Sequence, residues 1–183
     1  MHSRERMLGY VGTAFTAISK DLQLGYQMWF LLPNEERDLK SVISDPEVLQ
    51  FLSNPKGGAL EKYDVNLSVP RFDISCKLDM KPIMQSMGIC SVFDESSGNF
   101  SPITNAKGLR LSTALHNTRI KVWEEGVEAA SFIELAVAAA CTPKRVKEID
   151  VILNRPFLFV ITKACRIPMY IGMVVNPQEK ESV

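Results

Sequence analysis

The chain has 183 residues, 46% hydrophobic and 23% charged, a balance that suits a globular fold with one good core or two small ones and excludes a disordered segment. Its 21 basic and 21 acidic residues cancel, so no bulk field draws nucleic acid or an anionic membrane. No apolar run approaches the roughly 20 residues that span a bilayer, and the opening MHSRERML carries charge without a secretory apolar region, which predicts no export signal in the chain as written. Cys76, Cys90, Cys141 and Cys165 lack CxxC spacing and are expected to be free thiols rather than zinc ligands or disulfide staples.

In chain order, the apolar runs Tyr10 to Ile18 and Tyr26 to Leu32 flank the polar piece SKDLQLG and predict neighbouring strands joined by a turn, with Pro33 ending the second. Residues 34–52, NEERDLKSVISDPEVLQFL, predict two short helices with Asp38 and Asp45 as caps and Pro46 at a first helical position. SNPKGG, residues 53–58, reads as a surface loop, and Tyr63 to Ser75 alternates as strands broken near Pro70. Asp79 is placed to cap KPIMQSMG, a short helix with Pro82 near its start and Gly88 at its C-terminal end. Gly98 to Ile103 predicts a loop, Leu109 to Trp123 a strand, and Val151 to Ile161 and Ile167 to Val175 two apolar terminal strands. The predicted class is α+β, with strands at both ends, helices between, and no repeat or interdomain linker over 1–183.

The stretch from Glu124 to Cys141, EEGVEAASFIELAVAAAC, has two readings. As an extended chain it places Val127, Ala129, Ser131, Ile133, Leu135 and Val137 on one face, and Glu128, Ala130, Phe132, Glu134 and Ala136 on the other. Its six alanines, with Glu and Leu, equally favour a buried helix. Gly126 gives a flexible entry and Pro143 bars continuation of a regular helix. Catalytic signatures are missing: GxSxG, a Walker loop, HExxH and GxGxxG do not occur. The two histidines are His2, expected in a mobile terminus, and His116, inside a strand pattern, which is thin material for a base or a metal site. An enzyme, a cofactor and a metal centre are therefore not expected. Asn66-Leu67-Ser68 and Asn99-Phe100-Ser101 are glycosylation sequons whose use requires a secretory context.

Several segments nevertheless resemble one family, in that family's order. YQMWFLLPNE (26–35), VPRFDIS (69–75), LDMKPIMQSMGICSVFD (78–94), NFSPI (99–103), EEGVEAAS (124–131), NRPFLFVIT (154–162) and IGMVVNP (171–177) are similar to segments of the serpins, suicide protease inhibitors. The wording EEGVEAA, with Val127 where many animal members have threonine or serine, is closest to the bacterial branch. The resemblance implies mixed sheets with a few helices and an exposed reactive loop at about 124–145. A target serine protease attacks that loop as substrate. The hinge side then inserts into the main sheet as a new strand and stalls the enzyme.

Carried onto this chain, the resemblance makes Glu124, Glu125, Gly126, Val127, Glu128, Ala129, Ala130 and Ser131 the loop hinge. It places the attacked bond at Ala140/Cys141, with the bond beside Ala139 one residue away and the Lys144-Arg145 region, cut after Arg145, as the rival. Alanine there implies an elastase-like or subtilisin-like target, because trypsin-like enzymes need Arg or Lys at the cut. Arg71 matches a basic residue that pairs with the acidic loop base, here Glu124, and His116 a histidine of the strand flanking the insertion slot. Both would control sheet opening. Only the C-terminal half of the family's fold is matched, so the rival reading is a non-inhibitory fragment that acts as protease substrate or self-associates through exposed sheet edges. The resemblance implies an extracellular protein, and the absence of a leader in this chain keeps the cytoplasm as the alternative.

Overall fold

In chain order the elements are β1 His2–Val11, β2 Phe15–Asp21, β3 Gln27–Pro33, α1 Leu39–Ile43, α2 Pro46–Ser53, β4 Glu61–Ser68, β5 Phe72–Asp79, α3 Met80–Ser86, β6 Leu115–Val122, β7 Lys147–Ile152, β8 Phe157–Lys163 and β9 Ile167–Val174. They come from a computed structural model that describes residues 1–35, 37–53, 60–123, 146–163 and 167–177. The chain divides into two compact units, Met1–Phe72 with Val122–Val183, and Asp73–Lys121.

The first unit is built on a seven-stranded sheet in the order β7-β4-β1-β2-β3-β8-β9. Its described pairs are antiparallel except β4 with β7, which run parallel. β3 lies inside the sheet and reads as a continuous apolar run, as a strand covered on both faces must. One face carries Ala17, Trp29, Leu31, Leu158 and Val160, packed with Leu39 and Val42 of α1 and Val48 and Phe51 of α2. Phe51 is the centre of this cluster, with its ring 5.4 Å from Phe15, 5.4 Å from Trp29 and 5.6 Å from Tyr10. On another side, Phe72 packs against Phe157 and Phe159 at 6.0 and 5.4 Å. Gly172 of β9 lies so close to Phe159 that an added Cβ would stand 2.4 Å from its ring, which explains glycine inside a strand.

Four expectations about this unit need correction. The N-terminus is not mobile: His2 pairs with Ser68, and the terminal ammonium donates to the Val69 carbonyl at 2.9 Å. The charges of the opening segment make cross-strand pairs, Arg6 directly opposite Asp64 at 3.1 Å and Lys20 on Glu5. The run Tyr10 to Ile18 is not one strand but the end of β1, a turn at Gly12–Ala14 and the start of β2. The Gly12 N–H donates to the Phe15 carbonyl at 3.0 Å across that turn. Val151 to Ile161 likewise splits into β7 and β8, because Pro156 cannot donate to a ladder and the chain crosses between opposite ends of the strand order. Both predicted helices between β3 and β4 are present. Asp45 caps α2 by accepting from Glu47 N at 2.9 Å, whereas the Asp38 side chain makes no capping bond to α1.

The second unit holds a two-stranded sheet of β5 and β6, with α3 and a single 3-10 turn at Ser91–Phe93. Asp79 caps α3 as predicted, accepting from Lys81 N at 3.0 Å, and Gly88 ends the helical stretch with φ of 87°. The predicted strand Leu109 to Trp123 shortens to Leu115–Val122. Upstream, the Leu111 N–H bonds the Val92 carbonyl at 2.8 Å instead of a strand.

Candidate functional site

The segment singled out by its alternation joins the end of β6, at Val122, to the start of β7, at Lys147. Residues 124–145 lie outside the described residues. That removes from structural view the hinge Glu124–Ser131, the bonds at Ala139, Ala140 and Cys141, the rival Arg145, and the predicted Arg71–Glu124 pair. The described part of the candidate site is the two strands that flank this segment, β6 before it and β7 after it.

At the departure side, β6 has opposite faces of different character. His116, Thr118, Ile120 and Val122 form one face, along which burial increases to a buried Val122. Leu115, Asn117, Arg119 and Lys121 form the other and are exposed. Among the described strands β6 pairs with β5 alone. His116 is exposed, and its Nε2 lies 2.6 Å from the Thr118 hydroxyl, two residues along the same face. Arg71 precedes β5, and its side chain is exposed. Arg71 and His116, which the resemblance made candidates for control of sheet opening, thus sit beside or on β5 and β6, while the partner expected for Arg71 falls outside the described residues.

One charged contact on this platform escaped the sequence reading. Arg119 donates Nε to Asp73 Oδ1 at 2.8 Å and Nη2 to Asp73 Oδ2 at 2.6 Å, a two-pronged bond across β5 and β6. The hydrogen bond to Asp73, reinforced by its charge, raises the Arg119 pKa further above its ordinary value. Asp and Arg in separate strand patterns gave no signal without the register.

At the return side, β7 is an edge strand bearing Lys147, Glu148 and Asp150. Lys147 donates to Glu61 at 3.2 Å, which raises its pKa, and Arg4 donates to Glu148 at 3.0 Å. Cys76 and Cys90 are free, exposed thiols, and Cys141 and Cys165 lie outside the described residues. Of the sequons, Asn66 lies within β4 and donates to Asp150 at 2.7 Å, while Asn99 is in an exposed turn. Among the described residues no group of three or more His, Cys, Asp or Glu is arranged to hold a metal ion.

Comparison with known proteins agrees with this architecture. An alpha-1-antitrypsin-like protein of Ictidomys tridecemlineatus is 35% identical over 81% of this chain and 34% of its own length. A serine protease inhibitor of Cyanea capillata is 33% identical over 83% of this chain and 39% of its own length. The solved structure of thyroxine-binding globulin with thyroxine superposes with a TM-score of 0.73 at 28% identity, covering 98% of this chain and 46% of that one. The chain therefore spans about a third of the length of the curated relatives it matches, and the fold is part of theirs. These relatives are eukaryotic and do not support the bacterial affinity read from EEGVEAA. The family model described as serpin (serine protease inhibitor) matches residues 1–177, and the chain belongs to the serpin family.

Proposed function

We propose that the chain supplies the reactive loop and insertion platform of a serine-type endopeptidase inhibitor that works by suicide cleavage. The observation that carries this reading is the β6 strand, with a second edge unpaired among the described strands, leading directly into a segment whose alternate residues are suited to become a strand. The protease serine attacks the Ala140 carbonyl, the Cys141 amine departs, and the hinge from Glu124 to Ser131 enters beside β6 while the acyl ester is still intact. Val127, Ala129, Ser131, Ile133, Leu135 and Val137 then face the core. His116 and an Arg71–Glu124 pair regulate the opening. The chain is the substrate in this chemistry and supplies no catalyst. A small residue at the cut selects elastase-like or subtilisin-like proteases, and the setting of such an encounter is extracellular.

The test is to mix the chain with one protease of each type, resolve the products on a denaturing gel and sequence the released C-terminal piece. A denaturant-resistant covalent band with cleavage beside Ala140 is expected. Clean cleavage with full protease activity would refute the inhibitory reading for this chain.

A second reading, a fragment that self-associates, is favoured by β9. This sheet edge carries no charged residue, and Ile167, Met169, Ile171 and Met173 are 60%, 50%, 59% and 47% exposed. Sedimentation that yields a compact monomer at all concentrations would remove it.

A further inference from the structure

A strand that serves as a template for another must hold its register, and β6 holds its own against β5. It lies in a two-stranded sheet, and ribbons of that size are marginal by themselves. A slip by one residue would drive the half-buried face of Ile120 and Val122 outward and is opposed by that burial. A slip by two residues keeps the faces and escapes that control. On the exposed face one described contact sensitive to it is the fork from Arg119 to Asp73, because two bonds at 2.8 and 2.6 Å require one separation and one orientation of the strands.

The consequence falls on the loop. Val122 ends β6 three residues beyond Arg119, and the hinge begins at Glu124. A two-residue slip would displace that starting point along the sheet by about 7 Å. The inserting strand would then meet the wrong partners on the β6 edge.

We infer that the Arg119–Asp73 fork is a register lock that positions β6 for loop insertion. Neither residue touches the reacting atoms, so both are positioning residues, and the inference rests on the inhibitory reading above. After acylation, insertion competes with water. Water attacks the ester carbonyl at Ala140, the C–O bond to the protease serine breaks, and the Ala140 carboxylate and free enzyme are released. A loosened template slows insertion and shifts that competition toward hydrolysis.

The experiment uses the full chain with an elastase-like protease. Arg119→Lys keeps the charge and loses the fork, Asp73→Asn removes the charged acceptor, and the double exchange Asp73→Arg with Arg119→Asp restores an ion pair. The ratio of cleaved chain to covalent complex should rise roughly two- to threefold in the single variants and return toward the wild-type value in the exchange. Amide hydrogen exchange in β6 should accelerate in the same variants. A lowered thermal midpoint with an unchanged ratio would reduce the pair to a stabilising contact and overturn the inference. If the wild-type chain forms no complex with either protease type, the inhibitory reading falls, and with it the link to insertion. Exchange in β6 then decides the lock alone, since rates unaffected by Arg119→Lys would refute it.

Discussion

β3 of the seven-stranded sheet buries six of its seven residues, whereas β6 of the two-stranded sheet buries one of eight. The first strand is specified by packing on both faces. The second is held by one half-buried face and by cross-strand polar contacts. Core packing resists opening with the full free energy of the cluster, while a strand secured by few apolar contacts opens at lower cost. The proposed insertion would require both kinds of region, one that stays fixed and one that yields.

The largest effect that sharpens this contrast is expected from Trp29→Ala. Trp29 is 2% exposed and meets the Phe51 ring edge-on at 5.4 Å. Its removal leaves a cavity between the sheet and α2, at a cost of about 3–5 kcal/mol. Urea unfolding followed by far-UV circular dichroism would show the loss, and exchange would accelerate in β2, β3 and β8. Equal acceleration in β5 and β6 would break the contrast, because the two units would then unfold as one.

The turn that joins β1 to β2 gives a second, smaller effect with a pH signature. Glu47 accepts from Tyr10 OH at 2.6 Å, Thr13 N at 3.1 Å, Thr13 Oγ1 at 2.7 Å and Ala14 N at 2.9 Å. Burial by itself would raise the Glu47 pKa, but these bonds together outweigh it and hold the carboxyl below its ordinary 4.5. The Tyr10 phenol, bonded to that carboxylate, is pushed from 10.0 up to about 12, with burial and the negative charge adding to the effect. A depressed acid contributes stability above its unfolded pKa and loses it as pH falls through the folded one. A raised phenol contributes fully below pH 10 and loses its share as pH climbs towards about 12. Glu47→Gln is therefore expected to cost about 1–3 kcal/mol at neutral pH and to flatten both limbs of the stability profile. Guanidinium unfolding from pH 3 to 11 checks this; a variant profile parallel to that of the wild type would refute it.

The same turn shows where sequence reading stops. Tyr10 to Ile18 is apolar enough to be one strand, and its break at Gly12–Ala14 depends on Glu47, which lies more than thirty residues downstream. The first residues read as a charged, mobile terminus because Asp64 and Glu148, the partners of Arg6 and Arg4, adjoin them only through strand pairing. By contrast, α2 was legible because Asp45 and Pro46 are local signals, and β3 because its apolar run needs no partner to be recognised. The proposed hinge, EEGVEAAS, rests on the resemblance of its residues alone, since it lies outside the described residues. The Arg119–Asp73 fork was not legible, since forty-six positions separate its ends and only the register of β5 against β6 brings them together.

The smallest effect concerns α3, a helix with no buried residue. With little packing to support it, its first turn depends on local bonds: Asp79 accepts from Lys81 N at 3.0 Å, and Met80 N donates to the Ala114 carbonyl at 2.7 Å. Asp79→Ala removes the first and is expected to cost about 1 kcal/mol, whereas Asp79→Ser keeps a capping oxygen and should cost less. Exchange at Met80–Ser86 reads the difference directly. A loss confined to those amides would mean that this unit is stabilised piece by piece, the property that distinguishes it from the seven-stranded sheet. A loss spread equally over β3 and β8 would instead tie α3 to the core of the other unit and erase that distinction.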